Sequence, residues 1–211
     1  MSDEPIRELI ARRAAREIFK GACFALGDGI PKLVARFLQD DIKTLCLHQD
    51  GQLASNVPIG TIAHQLSPDP FTESFFSSAD AFAMIRGGCL DLAILGALQV
   101  DERGNLANWM IPGEIVQGMG AAMDLAVGAR RVVIAMEHTT GEGRPKILKH
   151  CTLPLTALRV VQRIITEVAV IDVMPQELIM REIAPGLTVE EVRKITEAPL
   201  KVDRDLKIMQ F

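Results

Sequence analysis

The sequence predicts an α/β fold built on an open, largely parallel sheet that is flanked by helices. Residues 131–136 (RVVIAM) and 168–173 (VAVIDV) form nearly continuous apolar runs rich in β-branched residues, which is typical of strands buried on both faces. Other strand-like runs alternate with helix-like runs, and this alternation indicates parallel pairing. The 211 residues contain no repeat and no linker-like stretch, so we expect a single domain over residues 1–211.

The first expected element is an amphipathic helix over residues 5–20. Ile6, Ile10 and Ala14 recur there at helical spacing, and Pro5 suits the first turn of a helix. The elements expected next are a strand, a glycine turn, a helix and a second strand: residues 22–26, 27–29, 31–38 and 44–48.

The rest of the chain continues the alternation after an interruption. Residues 52–74 are expected to be irregular, because three prolines in this stretch break regular structure. The elements expected beyond it are a helix over 78–85, a strand over 90–95, a turn over 101–105, a helix over 121–127 and a strand over 178–183. Thr188 opens the final helix, and Glu191 three positions later completes a capping box.

Composition argues against several classes of function. Lys and Arg total 23 against 27 Asp and Glu, a formal net charge of −4, which is not the basic field that binding to nucleic acid or an anionic membrane requires. No apolar run approaches the roughly 20 residues of a membrane span, and the first residues lack the apolar core of a signal peptide. The four cysteines are scattered without a C-x-x-C pair. We therefore expect no metal site, reduced thiols and a cytoplasmic location.

The best candidate for an active site follows the second strand. His48, Gln49 and Asp50 bring a base, a hydrogen-bond donor and an orienting carboxylate to adjacent positions, at the strand end where parallel sheets usually bind ligands. A plain polar exit from the strand is the alternative interpretation. Gly27 and Gly29 either bring backbone N–H groups to a phosphate or thioester at a helix N-terminus, or only form a tight turn.

Other residues are weaker candidates. Glu137 and His138 follow the strongest predicted strand and are either a catalytic pair or a hydrogen-bonded structural pair. The cysteines are expected to pack in the core, with Cys46 and Cys89 as second candidates because we expect them beside the site. Trp109 is expected in the core or at a subunit interface.

Six stretches of the chain resemble one known family. They are residues 82–88 (FAMIRGG), 91–97 (DLAILGA), 104–113 (GNLANWMIPG), 123–125 (MDL), 135–138 (AMEH) and 151–156 (CTLPLT). Together they resemble the class I CoA-transferases, and in particular the B subunits of the succinyl-CoA:3-oxoacid type, over about residues 6–198. The resemblance implies an A-type partner subunit, usually in a heterotetramer. It also implies an acyl-CoA thioester as the substrate and no tightly bound cofactor.

The resemblance also implies a catalytic residue, and this chain departs from it. In the family a glutamate in a Ser-Glu-Asn-Gly motif attacks the thioester, and backbone donors stabilise the oxyanions. Counting from residues 26–31 (LGDGIP), that motif falls on residues 48–51, so Gln49 stands at the glutamate position. A carboxamide cannot ionise to a carboxylate, so a glutamyl-CoA intermediate cannot form there.

Further departures cluster around the same pocket. Ala25 stands where the family has Asn, Cys89 where it has His, and Ala121 ends a segment that reads Gly-Met-Gly-Gly in the family. The family's Asn-Ala-Gly-Lys element is absent from residues 52–74. The positions expected to bind the substrate or an oxyanion are Ala25, Gly27, Gly29, Gly51, Gly120 and Ala121. Several changes around one pocket indicate natural remodelling of the site.

Three functions remain open from the sequence. In the first, the chain is a B subunit for 3-oxoacid CoA transfer, with Gln49 substituted or another nucleophile in use. In the second, the enzyme acts on an acyl thioester without a covalent glutamate, by decarboxylation, hydrolysis or C–C cleavage. His48 is then the base, Gln49 the donor to the substrate carbonyl and Asp50 the orienting group. In the third, the chain is a non-catalytic subunit that stabilises an A-type chain.

Overall fold

A computed structural model describes residues 4–38, 44–49, 52–55, 72–113, 115–116 and 120–211. The helices are α1 (Glu4–Ala15), α2 (Ile30–Leu33), α3 (Ser78–Arg86), α4 (Ala122–Gly128) and α5 (Val189–Lys194), and a 3-10 turn over Val34–Phe37 continues α2. The strands in chain order are β1 (Cys23–Leu26), β2 (Leu45–Leu47), β3 (Gln52–Ser55), β4 (Thr72–Phe75), β5 (Leu92–Leu95), β6 (Gln99–Asp101), β7 (Leu106–Ala107), β8 (Met110–Ile111), β9 (Ile115–Val116), β10 (Val132–Ala135), β11 (Ile147–Leu148), β12 (Val161–Ile165), β13 (Ala169–Met174), β14 (Glu177–Ile183) and β15 (Leu200–Ile208).

Ten strands of the described chain form one mixed sheet in the order β15-β14-β13-β12-β10-β5-β1-β2-β3-β4. The centre of this sheet, from β2 through β1, β5 and β10 to β12, is parallel throughout. The flanks β2–β3–β4 and β12–β13–β14 are antiparallel, and β15 pairs parallel with β14. The predicted α/β fold with an open, largely parallel sheet is confirmed.

The central strands divide their side chains between two cores. On β5, Leu92 and Ile94 join one hydrophobic cluster, and Ala93 and Leu95 join the other. Helices α1 and α2 cover the first face of the sheet, and α3, α4 and α5 cover the second. All four residues of β10 are buried as well, as the apolar run predicts. In the described part of the chain, no helix combines the length and the apolar character needed to cross a membrane.

Two predicted helices are shorter than expected. The helix predicted over 5–20 ends at Ala15, because the next three backbone N–H groups bond to carbonyls three residues back, as Glu17 does to Ala14 at 3.0 Å. Such bonds tighten the last turn and end the regular helix. The helix predicted over 31–38 is only α2 and its 3-10 turn, and Leu38 is already extended.

Several strands are not expected from the sequence. The described ends of the segment predicted as irregular, 52–74, are strands β3 and β4. Pairing of β3 with β2 and of β4 with β3 supplies the backbone hydrogen bonds that local propensity does not suggest. Strands β12 and β15 are also additional to the predicted elements. In β13, residues 169–171 are buried but Asp172, Val173 and Met174 are not. The prediction that residues 168–173 are buried on both faces of the sheet is therefore wrong for the second half of this run.

Candidate functional site

The glycine turn after β1 lies at the carboxyl edge of the parallel strands. The backbone N–H of Gly27 donates to Ile94 O at 2.8 Å, and a Cβ at Gly27 would lie 3.2 Å from Leu95 Cδ2. Gly29 has φ 78° and ψ −130°, a conformation that glycine adopts without strain. The turn is therefore held tightly against β5, and helix α2 follows it directly. The Gly27 N–H is thereby engaged within the sheet, so a ligand contact through a backbone N–H fits Gly29 and not Gly27, while a tight turn fits both glycines.

The polar residues after β2 lie at the same edge. Strand β2 pairs in parallel with β1, with Cys46 opposite Phe24. Since Gln49 follows Cys46 by three residues and Gly27 follows Phe24 by three, both leave the sheet at one edge. Gln49 is exposed. Asp50 and Gly51, which the sequence predicts to contribute a carboxylate and a backbone donor, lie outside the described residues.

His48 lies beside a cysteine at the end of β2. The ring is half-buried, and its Nε2 lies 3.7 Å from the Sγ of Cys46. Cys46 itself is buried in the cluster beneath α1 and α2. The half-buried imidazole and its exposed neighbour Gln49 lie at the end of β2, which is compatible with the predicted role of His48 as a base.

The other predicted oxyanion positions combine an exposed glycine with two buried alanines. Gly120 has φ 51°, and nothing lies within 4 Å of where its Cβ would be. Ala121 is the N-cap of α4, and both it and Ala25 are buried in the same hydrophobic cluster. The two alanine side chains therefore pack in the core beneath the edge.

A second element approaches the carboxyl edge, and sequence reasoning did not identify it. Asn108 Nδ2 donates to Gly96 O at 3.1 Å, and the hydroxyl of Thr156 donates to Asn108 Oδ1 at 2.6 Å. Gly96 directly follows β5, so these bonds fix the segment that carries Trp109 beside the sheet. Trp109 is half-buried, and among the described residues its Nε1 is a buried polar side-chain atom without a hydrogen-bond partner. The signal in the sequence that could have identified Asn108 was its position next to the single tryptophan.

The structure favours the structural interpretation of His138. Its side chain is fully buried, with Nδ1 3.0 Å from the Thr166 hydroxyl and Nε2 2.8 Å from the Thr196 hydroxyl. Burial, and then the charge of Lys146, lowers the pKa of His138 to about 4. A neutral imidazole with both nitrogens occupied is a core hydrogen-bonding group. Glu137 lies outside that network and pairs with Arg7 at 3.6 Å.

The thiols near the sheet are poor nucleophiles. Burial raises the pKa of Cys23 to about 11 and that of Cys151 to about 12, and it also raises the pKa of Cys89. Protonated thiols react slowly. Placing Cys89 beside the candidate site is wrong, because it precedes β5 and hydrogen-bonds Cys23 at the start of β1. Both thiols therefore lie at the opposite edge.

Comparison with known proteins gives the family of this chain. The family model described as Coenzyme A transferase matches residues 7–194. The B subunit of a probable succinyl-CoA:3-ketoacid coenzyme A transferase of Bacillus subtilis is 44% identical over 209 residues, which are 95% of this chain and 97% of that protein. The beta chain of the acetate CoA-transferase of Escherichia coli is 43% identical, and the match covers 95% of each chain.

Solved structures share the fold at lower identity. The acyl-CoA transferase YdiF apoenzyme of Escherichia coli O157:H7 superposes with a TM-score of 0.81 at 23% identity; the match covers 97% of this chain but only 43% of YdiF. The decarboxylase AibA/AibB superposes with a TM-score of 0.70 at 18% identity, over 97% of this chain and 88% of that one. The resemblance seen in the six sequence stretches is confirmed, and the chain belongs to the coenzyme A transferase family, in which it is similar to the B, or beta, subunits.

Proposed function

We propose that this chain, acting as one domain over residues 1–211, is the B-type half of a heteromeric enzyme that acts on acyl-CoA thioesters. Its partner is an A-type CoA-transferase subunit, in a heterotetramer. Support comes from the relatives at 43–44% identity, which are named as the B or beta subunits of CoA-transferases. The thioester of coenzyme A is a substrate and not a tightly bound cofactor. A cytoplasmic location is supported by four cysteines that form no disulfide.

The observation that carries the mechanism is Gln49 at the carboxyl edge. An exposed glutamine follows β2, where the resembled family has its nucleophilic glutamate. The amide nitrogen of glutamine is not nucleophilic, since its lone pair is delocalised into the carbonyl. Gln49 therefore donates a hydrogen bond to a substrate carbonyl, and the site forms no glutamyl-CoA thioester.

The neighbouring residues complete the proposed site. His48 is the base, and Asp50 orients it or the substrate. Backbone N–H groups at Gly29, Gly51 and Gly120 are the proposed oxyanion donors. Gly27, whose N–H donates to Ile94 O, instead holds the turn in place. The buried Ala25 occupies less space than the asparagine of the family at that position, whereas Ala121 adds a methyl group where the family has glycine.

Two alternatives follow from the missing carboxylate. An enzyme without a covalent glutamate would decarboxylate or hydrolyse its thioester, or cleave a C–C bond. The fold is compatible with such chemistry, since AibA/AibB, a decarboxylase, shares it. In the other alternative the chain only supports the A-type subunit, whose residues then carry the reaction.

The deciding experiment restores the carboxylate. The chain is co-expressed with its neighbouring A-type subunit, and CoA transfer from succinyl-CoA to acetoacetate is measured for the native complex and for Gln49→Glu. We expect Gln49→Glu to raise transfer by at least roughly 10³-fold if the scaffold is still a transferase, and intact mass to show a CoA adduct on this chain. Gln176→Glu, at an exposed turn between β13 and β14, is the matched control and should change neither measurement.

The other outcomes separate the alternatives. If both complexes assemble and neither transfers CoA, the site performs other thioester chemistry, and decarboxylation and hydrolysis are assayed next. If the native complex turns over a thioester and neither Gln49→Ala nor His48→Ala affects it, this chain has no catalytic role.

A further inference from the structure

A cavity of about 680 Å³ opens at the edge of the sheet opposite the candidate catalytic site. Its wall includes Arg131, directly before β10, and residues 161–163 at the start of β12. Strands β1, β2, β5, β10 and β12 are parallel. Since the proposed catalytic residues follow the ends of β1 and β2, the cavity is a separate site, at least the length of a strand away.

The charge in this cavity is unbalanced. Its described lining contains four arginines and a single carboxylate: Arg103, Arg131, Arg159, Arg163 and Asp172. Arg131 and Arg163 bind Glu17 at 2.6 and 2.9 Å, and Arg163 also binds Asp172. Among the described residues, Arg103 and Arg159 have no carboxylate within ion-pair distance. The cavity therefore presents two uncompensated guanidinium groups, and it attracts anions.

Asp172 does not cancel this charge. One of its oxygens accepts from Arg163 at 2.6 Å and the other from Arg181 at 2.7 Å. Its carboxylate is already shared between two guanidinium groups, so it adds little repulsion for an anion beside Arg103 and Arg159.

One buried carboxylate, that of Asp101, holds the backbone of both uncompensated arginines in place. Asp101 is 2% exposed, and its Oδ1 accepts the backbone N–H of Arg103 at 3.0 Å. Its Oδ2 accepts from Asn105 Nδ2 at 2.8 Å, and Asn105 Oδ1 in turn accepts the backbone N–H of Arg159 at 3.0 Å. The two loops that carry these arginines are therefore joined through Asp101 and Asn105, which is the pre-organisation that a binding site requires.

The backbone of this region is constrained in two further ways. Arg159 has φ 55°, the one positive φ of a non-glycine residue in the described chain, a strained conformation that glycine or asparagine would accept more readily. A Cβ at Gly104, which has φ 76°, would lie 2.7 Å from Val161 O, so the 101–105 turn is pressed against β12. The strained backbone of Arg159, together with this close approach, fixes the place from which its side chain leaves the loop.

We propose that this cavity binds a small ligand with two anionic groups, of the diphosphate or dicarboxylate type, through Arg103 and Arg159. The planar guanidinium group forms paired hydrogen bonds with either kind of anion. The volume lies within the usual range of ligand pockets, and Val161 and Val173 provide apolar wall for the body of the ligand. The site is independent of the catalytic edge, so it can be tested by binding alone.

The test is calorimetric titration of the full chain, alone and in complex with its A-type subunit, with inorganic pyrophosphate and with citrate. We expect saturable binding of at least one of them. Arg103→Gln and Arg159→Gln should each weaken it about tenfold or more, and Arg204→Gln, an exposed arginine on β15, should not. Arg159→Gly should lose binding while its melting temperature stays equal or rises, because glycine accepts the backbone conformation. That variant separates loss of the ligand contact from misfolding.

The outcomes divide clearly. Tight binding of pyrophosphate alone identifies a phosphorylated ligand, tight binding of citrate alone a polycarboxylate, and either supports the site. Unchanged affinity in Arg103→Gln and Arg159→Gly, or no binding of either anion, overturns it. Binding to the chain alone that disappears in the complex also overturns it, since the cavity is then covered by the partner chain.

Discussion

The two edges of the parallel sheet differ in how their polar groups are paired. At the start of β10 and β12, Glu17 is 7% exposed and binds three arginines: Arg13, Arg131 and Arg163 at 2.8, 2.6 and 2.9 Å. At the carboxyl edge, His48 and Gln49 follow β2, and the neighbouring glycine turn carries a more open ion pair between the exposed Asp28 and Lys32. The first arrangement holds elements together, and the second leaves polar groups facing solvent.

The ionic contacts continue across the sheet from Glu17. They link α1 with β12, β13, β14 and β15 in the order Glu182, Arg13, Glu17, Arg163, Asp172, Arg181 and Asp203. Burial would raise the pKa of Glu17, but Arg163 and Arg13 outweigh it and hold the pKa below the usual value. We therefore expect substitutions at the network to change stability, and substitutions at the carboxyl edge to change activity.

The largest expected effect is on activity at His48. If His48 is the base, His48→Ala should lower turnover of the acyl thioester by the assembled complex on the order of 10²–10⁴-fold. The free energy of unfolding should change little, because the ring is only half-buried. His150→Ala, at an exposed position, is the matched control. Unchanged turnover in His48→Ala would remove His48 from the mechanism.

The next largest effect is on stability at Glu17. Glu17→Gln keeps the shape of the side chain and removes the charge that three arginines share, so we expect a loss of about 3 kcal/mol in urea unfolding. Arg13 and Arg163 retain Glu182 and Asp172, which limits the loss. Glu142→Gln, at an exposed pair with Arg144, should cost less than about 1 kcal/mol. Equal losses in the two variants would contradict the distinction between a buried network and a surface pair.

A pH dependence is expected from His138. Its folded pKa of about 4 lies below the ordinary histidine value of 6.5, so between these values the unfolded chain binds more protons than the folded chain. The stability that this group contributes is therefore complete above pH 6.5 and is lost as the pH falls towards 4, by roughly 3 kcal/mol. Urea unfolding measured across that range should show a slope that His138→Gln reduces and His150→Gln retains.

Other groups around His138 make the variant comparison necessary. Lys146 faces it with a pKa lowered by burial, and Glu167 has a pKa that burial raises. Glu167 titrates in the opposite sense to His138, so only the difference between native protein and variant isolates the histidine. A slope that is the same in His138→Gln would assign the pH dependence to the carboxylates.

Sequence reasoning succeeded where short-range patterns decide the structure. The strand β5, the buried run of β10 and the capping box of α5 are local, and all are predicted correctly. The fold class followed from their alternation. In contrast, β15 is a strand because it pairs with β14, with Leu200 opposite Leu178. Glu17, just after α1, binds Arg131 and Arg163, which are 114 and 146 positions away. Such contacts leave no pattern in the local sequence.

The candidate site was predictable only in part for the same reason. His48 and Gln49 stood out because polar residues follow an apolar strand. Asn108 contacts Gly96 across 12 positions and Thr156 across 48, and no spacing rule connects them. The arginines of the opposite cavity come from four separate places in the chain and meet only when β10, β12 and the 101–105 turn are assembled.

The smallest expected effect belongs to the capping box, a feature confined to four residues. Thr188 Oγ1 accepts the backbone N–H of Glu191 at 3.3 Å, and Glu191 Oε2 accepts that of Thr188 at 2.7 Å. Thr188→Ala removes one of these bonds and should lower the free energy of unfolding by about 1 kcal/mol. Thr188→Ser keeps the hydroxyl and should lose less than half of that. The cap follows β14, which four strands separate from β1 in the sheet, so turnover should be unchanged in either variant. A loss of turnover in Thr188→Ala would mean that α5 supports the site, and stability and activity would no longer divide between the two edges.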